Sequence, residues 1–107
     1  MPKGFVYILE CSNGTLYTGS TIDLKRRLRQ HFSGQGANHT KKYPPVELIY
    51  VEEFERIDTA FYREKQIQRW SHSKKRALAE KRMKDLHDLS ICMNQTHYKI
   101  QAFLEEE

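Results

Sequence analysis

The strongest constraint on the fold lies near the start of the chain, in the stretch VYILECSNGTLYTGS at residues 6–20. Its two halves are rich in β-branched and aromatic residues, which favour strands, and the triplet SNG at residues 12–14 separates them. Asparagine and glycine accept the positive φ that tight hairpin turns require. The stretch therefore predicts a β-hairpin, with strands at about residues 5–11 and 15–19.

The length of the turn decides on which face of the sheet the second tyrosine lies. A two-residue Asn-Gly loop pairs Glu10 with Tyr17 and puts Tyr7 on the face opposite Tyr17. A three-residue loop with Gly14 in the left-handed region pairs Leu9 with Tyr17 and puts both tyrosines on one face. The residues of the hairpin alone permit either register.

A helix and a polar segment follow the hairpin. Apolar residues at helical spacing predict a helix over residues 23–32, capped by Thr21 or Asp23. The segment SGQGANHTKKYPP at residues 33–45 then predicts an exposed, mobile loop, because it is rich in glycine, proline and polar residues. Its two lysines make it a candidate phosphate contact.

The remaining pattern completes the fold class. Residues 46–54 predict a third strand. Asp58 is predicted to cap a helix over residues 59–70, and Ser71 or Ser73 to open a last helix to about residue 87. The order β-β-α-β-α-α predicts an α+β fold, a small three-stranded antiparallel sheet flanked by helices.

Length and composition indicate a single domain, which we expect at residues 1–87, with a tail at 88–107 that is a short helix or disordered. The chain has 107 residues and 38% hydrophobic residues, too apolar for a disordered chain. Two cysteines without a Cys-x-x-Cys pair argue against a disulfide scaffold or a cysteine zinc site. The first apolar run is too short for a membrane helix or a signal peptide, which predicts a cytoplasmic protein.

The charge distribution suggests an acidic partner. The formal net charge is +4, and the last twenty residues carry four acidic residues and one lysine. The tail is therefore −3 and the rest of the chain +7. Nucleic acid is the common partner of such a basic domain. The alternative is a solvated surface with no such partner.

Five short features in order resemble the GIY-YIG endonuclease superfamily: VYI, YTG, Arg27, His31 and Glu64. The match continues through FYREKQIQRWS and covers about residues 5–86. More narrowly, the chain resembles the small single-domain bacterial branch, related to the N-terminal nuclease domain of the excision-repair subunit UvrC. This resemblance predicts the three-residue turn, since it requires both tyrosines on one face.

The superfamily cleaves phosphodiester bonds with a divalent metal ion, and the resemblance implies a role for each matching residue. Tyr7 would act as general base or orient the attacking water, and Tyr17 would line the same face. Arg27 would stabilise charge on the phosphoryl group, while His31 would hydrogen-bond the tyrosines. Glu64 would hold the metal ion, and one carboxylate suits Mg²⁺ or Mn²⁺ bound largely by water and phosphate.

The resemblance implies DNA as the partner and DNA repair or processing as the role. The cations that we predict to contact nucleic acid are Arg26, Lys41, Lys42, Lys74, Lys75 and Arg76.

A tyrosine can serve as an ionised base near pH 7 only if its pKa is lowered. With a pKa of about 10, only about one free tyrosine in a thousand is ionised at pH 7. Bringing that pKa near neutrality needs ~4 kcal/mol of preferential stabilisation of the phenolate. A nearby arginine, a metal ion and a hydrogen bond all act in that direction.

The chain departs from the family pattern at four positions. Phe5 and Val6 replace the glycine and isoleucine of the first motif, and Thr18 replaces the isoleucine of the second. Ser20 stands where UvrC-like relatives carry a lysine, whose role must be lost or moved to a lysine of the 33–45 segment.

Two other functions remain open from the sequence. The chain is either a nuclease, a nucleic-acid-binding module that keeps the fold without cleavage, or a domain that binds a protein partner.

Overall fold

The computed structural model describes residues 1–88, with side chains of the last helix described as far as Lys81. The predicted tail at 88–107 lies, apart from Asp88, outside the described residues. The elements are β1 (Gly4–Cys11), β2 (Leu16–Thr21), α1 (Leu24–Phe32), α2 (Asn38–Lys42), β3 (Pro45–Phe54), α3 (Ile57–Gln68) and α4 (His72–Asp88). No helix in this part of the chain has the length and apolar character that crossing a membrane requires.

The sheet has the strand order β2-β1-β3, with both neighbours antiparallel to β1. It confirms the predicted α+β fold class. Leu9 lies opposite Tyr17, and Gly14 has a φ of 85°. Cys11 donates its N–H to the Thr15 carbonyl at 2.9 Å, which closes the three-residue turn. The hairpin thus adopts the register that puts Tyr7 and Tyr17 on one face.

Helices cover both faces of the sheet, and each face has its own core. On one face, Tyr7 and Leu9 of β1 pack with Leu28 of α1. On the other face, Val6 and Ile8 pack with residues of α3 and α4. This alternation along β1 follows from the two-residue period of a strand. The pair of tyrosines therefore faces α1, while α3 and α4 lie on the opposite side.

Helix starts follow the predicted caps in two of three cases. The Asp23 carboxylate accepts the N–H of Arg26 at 3.1 Å and caps α1. The Ser71 hydroxyl accepts the N–H of Lys74 at 3.2 Å at the start of α4. The prediction that Asp58 caps α3 is wrong, because this residue lies in the first turn. Aspartate is favourable at both positions, since both lie at the positive end of the helix dipole.

The predicted mobile loop at residues 33–45 is also different in the structure. It contains the short helix α2, and Thr40 within that helix is fully buried. Pro45 already belongs to β3. The sequence NHTKK of α2 has no apolar period, so its helical state depends on contacts with the rest of the domain.

The turn at Gly14 gives a direct test of the hairpin register. We expect Gly14→Ala to lower the free energy of unfolding by about 1–2 kcal/mol, because a Cβ is disfavoured at positive φ. Gly14→Asn should lose less, since asparagine tolerates this conformation. Urea unfolding of the three proteins measures the difference. Equal stability of the alanine and wild-type proteins would contradict the turn conformation.

Candidate active site

A chain of three buried side chains links β1, α1 and α2. The hydroxyl of Tyr7 lies 2.8 Å from Nε2 of His31, and Nδ1 of His31 lies 2.8 Å from Oγ1 of Thr40. All three residues are 0% exposed. Tyr7 projects from the central strand toward α1, and His31 lies in the last turn of that helix. The predicted contact between His31 and a tyrosine is therefore present, with Tyr7 as its partner.

Tyr17 lies beside this chain and is half-buried. Its ring centroid is 6.4 Å from that of Tyr7 and 5.1 Å from that of His31. His39 of α2 stacks on Tyr17 at 6.1 Å and 25°. Nε2 of His39 also lies 2.7 Å from the hydroxyl of Thr15, after the hairpin turn. The hairpin and α2 thus enclose the two tyrosines together.

Gly19, within the second motif, makes room for Tyr7. A Cβ at this position would lie 2.6 Å from Cζ of Tyr7 and still nearer its hydroxyl oxygen. No real Cβ approaches a ring carbon that closely. The hydroxyl end of Tyr7 therefore lies directly against the backbone of β2. Any residue larger than glycine at position 19 would displace the tyrosine ring.

Arg27 is the cation of the site. Its guanidinium lies close enough to the hydroxyls of Tyr7 and Tyr17 to interact with both, and its Nη1 donates to Oε1 of Gln30 at 2.8 Å. Burial alone would lower the pKa of Arg27, but the tyrosine hydrogen bonds reverse the shift and raise it. The arginine therefore stays charged next to both hydroxyls.

Glu64 of α3 is 9% exposed, and hydrogen bonds hold both of its carboxylate oxygens. Ser20 donates its hydroxyl to Oε1. Gln68 donates its amide to Oε2 at 2.5 Å and to the carbonyl of Thr18 at 3.3 Å. Nζ of Lys65 lies 3.7 Å from Oε2. Ser20, at the position of the missing lysine, thus orients the predicted metal ligand.

The tyrosine pair and Glu64 meet at the edge strand β2. Ser20, which binds Glu64, directly follows Gly19, which touches Tyr7. The charge of Glu64 also contributes to the shift in the pKa of Tyr7. The two halves of the candidate site therefore come from opposite faces of the sheet and join at one short segment of β2.

Tyr7 and His31 do not have the pKa values that would make the tyrosine an ionised base at neutral pH. Burial raises the pKa of Tyr7 well above 10, although the hydrogen bond from Arg27 opposes this shift. Burial, together with the Arg27 charge, lowers the pKa of His31 to about 4. Both side chains are therefore neutral at pH 7. Without metal or DNA, the pKa of Tyr7 therefore lies further from 7 than that of a free tyrosine.

Glu64 does not belong to a cluster of candidate metal ligands in the described part of the chain. Among those residues, no group of three or more His, Cys, Asp or Glu side chains could enclose an ion. A carboxylate offers about four lone-pair sites, and the bonds from Ser20 and Gln68 occupy two. The donor set therefore fits an ion such as Mg²⁺ that takes one carboxylate and completes its shell with water and phosphate.

The six cations predicted to bind DNA lie on two sides of the molecule. Arg26 of α1 and the two lysines of α2 are exposed, on helices that lie on the tyrosine side of the sheet. The other three lie on α4, across the sheet. Nζ of Lys74 lies 4.2 Å from the ring centroid of Trp70, and Nη2 of Arg76 lies 3.2 Å from Oε2 of Glu10. Burial lowers the pKa of Lys75.

The sequence did not point to four residues that hold the site. Ser20 and Gln68 fix the Glu64 carboxylate, while His39 and Thr40 contact the tyrosine and histidine rings. His39 and Thr40 lie in a segment without a period, while Ser20 and Gln68 are ordinary polar residues of a strand and a helix, so no pattern marks their contacts. Only their position in the fold reveals their contacts.

Comparisons with known proteins agree with the motifs. A family model described as the GIY-YIG catalytic domain matches residues 3–77. A UPF0213 protein of Haloquadratum walsbyi is 45% identical over 76 residues, covering 71% of this chain and 85% of the relative. One from Staphylococcus aureus is 43% identical over 82 residues, covering 77% of this chain and 100% of the relative. The solution NMR structure of a UPF0213 protein from Bacillus halodurans is 37% identical, with a TM-score of 0.48, and covers 73% of this chain and 83% of that one.

The shifted pKa of His31 predicts how stability depends on pH. The folded pKa is about 4 and the ordinary value 6.5, so between these values the unfolded chain binds the extra proton. Stability contributed by neutral His31 is therefore complete above pH 6.5 and is lost as the pH falls toward 4, by up to about 3 kcal/mol. We expect His31→Gln to lose less stability between pH 7 and 4.5 than the wild type. Urea unfolding at both pH values measures this, and equal losses would contradict a buried neutral His31.

Proposed function

Because the chain belongs to the GIY-YIG catalytic domain family, we propose that it is a metal-dependent endonuclease that hydrolyses DNA phosphodiester bonds. The observation that carries this proposal is the buried contact between Tyr7 and His31 beside the Arg27 guanidinium. Packing alone requires one hydrogen-bond partner for a buried tyrosine hydroxyl, but it does not require the charged arginine beside it. The resemblance to UvrC supports a role in DNA repair or processing.

The attacking water gives its proton to the hydroxyl oxygen of Tyr7. At the same time, Tyr7 passes its own proton to Nε2 of His31, which lies 2.8 Å away. The water becomes the nucleophile, Tyr7 ends neutral, and His31 ends as an imidazolium. This relay requires no free phenolate, so the raised pKa of Tyr7 does not prevent it. Attack on phosphorus breaks the bond to the leaving oxygen, and the imidazolium, made acidic by burial and by the Arg27 charge, returns its proton through the Tyr7 hydroxyl to that oxygen. General base catalysis of this kind contributes about 10²–10⁴-fold in rate.

Arg27 binds the scissile phosphate. Its planar guanidinium stays charged and can contact two phosphate oxygens together. Because the same guanidinium interacts with the hydroxyls of Tyr7 and Tyr17, a phosphate bound there lies next to the hydroxyl that accepts the proton. Gln30 holds the guanidinium from the other side. Arg27 thus stabilises the charge of the transition state and also sets the position of the phosphorus atom.

Glu64 would hold the divalent ion, Mg²⁺ or Mn²⁺. When bound, such an ion neutralises phosphate oxygens and lowers the pKa of bound water. Ser20 and Gln68 keep the carboxylate in one orientation before the ion and the substrate arrive. This preorganisation lowers the cost of assembling the site around DNA.

A second candidate is a nucleic-acid-binding module that does not cleave. Two observations favour it. Burial raises the pKa of the proposed base, and no group of three or more candidate metal ligands occurs among the described residues. Such a module would bind DNA with a strong dependence on salt and would leave every phosphodiester bond intact.

The first test separates these candidates. With branched, nicked and single-stranded DNA, we expect cleavage in Mg²⁺ or Mn²⁺ that Glu64→Gln reduces by at least about 100-fold, because transition-state stabilisation by the ion is lost. Glu55→Gln, which removes an exposed carboxylate before α3, is the matched control and should cleave like the wild type. Labelled DNA resolved on denaturing gels measures the rates. Binding without cleavage on all substrates would favour the second candidate.

The second test concerns the DNA path. We propose that the cations near the tyrosines carry most of the phosphate contacts, since α4 lies across the sheet and Arg76 is already paired. The double variant Lys41→Gln/Lys42→Gln should weaken DNA binding and reduce the salt slope by about 1 for each lost phosphate contact.

The double variant Lys74→Gln/Lys75→Gln removes the same charge from α4 and serves as the control. Fluorescence anisotropy over a range of salt concentrations, in metal-free buffer, measures both. A larger loss for the α4 variant would contradict the proposed path.

A further inference from the structure

We propose that Thr40 is a positioning residue that holds His31 in the tautomer protonated at Nδ1, so that Nε2 is free to accept the Tyr7 proton. This inference rests on the proposed relay, because it explains why the relay runs from tyrosine to histidine. Thr40 contacts neither Tyr7 nor the expected phosphate position. It acts only through the imidazole ring.

The hydroxyl of Thr40 can donate one hydrogen bond and accept two. Its proton goes to the carbonyl of Ala37, the N-cap residue of α2, at 3.0 Å. Toward Nδ1 of His31, at 2.8 Å, the hydroxyl therefore presents a lone pair. Only a protonated Nδ1 can make a hydrogen bond to that lone pair.

A neutral imidazole carries one proton, so protonation at Nδ1 leaves Nε2 as an acceptor. The Tyr7 hydroxyl, 2.8 Å from Nε2, must then be the donor. Each proton in this series of hydrogen bonds then has one place: Tyr7 donates to His31, His31 donates to Thr40, and Thr40 donates to the carbonyl of Ala37. The opposite tautomer would require the Thr40 hydroxyl to give up the Ala37 carbonyl and donate to Nδ1 instead, and it would turn the Tyr7 hydroxyl into an acceptor that cannot pass its proton to Nε2.

The packing around the pair keeps this arrangement rigid. Tyr7, His31 and Thr40 are all fully buried, and an unpaired polar atom there would cost about 1–3 kcal/mol. A Cβ on Gly36 would lie 2.9 Å from Oγ1 of Thr40 and 3.0 Å from Cα of His31, and nearer still to Nδ1. Glycine at this position lets the start of α2 pack directly on the histidine.

The tautomer can be read by NMR on the full chain without metal or DNA, since the ¹⁵N chemical shift distinguishes a protonated from an unprotonated ring nitrogen. We expect wild-type His31 to be protonated at Nδ1. Thr40→Val keeps the shape but removes the acceptor, and should lose this single tautomer. Thr40→Ser retains the hydroxyl and should preserve it.

Thr18→Val is the matched control. Thr18 is also buried, at 3% exposure, but its hydroxyl has no hydrogen-bond partner within the described structure. The substitution makes the same chemical change on the opposite face of the sheet, and the His31 spectrum should stay unchanged. If Thr40→Val does not fold, Thr40→Ala removes the same hydroxyl with less steric demand and gives the same readout.

Cleavage supplies the second readout. We expect Thr40→Val to lower kcat at least about 10-fold with little change in KM, and Thr40→Ser to restore it, because the loss affects proton transfer and not DNA binding. A wild-type spectrum with Nε2 protonated would overturn the proposal, as would a valine variant with wild-type spectrum and kcat. If the wild type cleaves no DNA, the proposed function fails, while the NMR result still decides the tautomer.

Discussion

The hydrogen bond between Tyr7 and His31 is the interaction on which the arrangement of the domain depends. It crosses from the central strand to α1, and the other nitrogen of the same imidazole reaches α2. Because buried polar atoms must be hydrogen-bonded, the positions of the sheet, α1 and α2 relative to one another are fixed together. The hairpin register, the room at Gly19 and the close packing of α2 all serve that contact. Cleavage chemistry, as proposed, uses a contact that the fold already requires.

Much of this framework could be predicted from local signals. The SNG triplet carries the turn, and Gly14 provides the residue that a three-residue loop needs at positive φ. The choice between the two registers could not be made from the hairpin, because both satisfy the alternation of the strands. It depended on Tyr17 matching a motif that requires both tyrosines on one face. The start of α3 differs from the prediction because aspartate is favourable both at the N-cap and within the first turn of a helix.

The environment of the site residues could not be predicted in the same way. Arg27, His31 and Glu64 are set by motif spacing, but their protonation and partners come from contacts between distant segments. Ser20 and Glu64 are 44 residues apart, and Tyr7 and His31 are 24 apart. The sequence of the short helix α2 has no apolar periodicity from which the helix could be predicted. Its burial against His31 changes an apparent surface loop into part of the interior.

The path of polar contacts that begins at Tyr7 ends on a main-chain oxygen, the carbonyl of Ala37. Every amino acid carries that group, so no substitution at residue 37 deletes it. Evolutionary change can therefore interrupt the path only at its side chains, and at Thr40 serine is the one replacement that keeps both a hydroxyl and a compact shape. Relatives that bear neither threonine nor serine at this point would need another way to orient the imidazole, and their presence would mark a lineage with different proton chemistry.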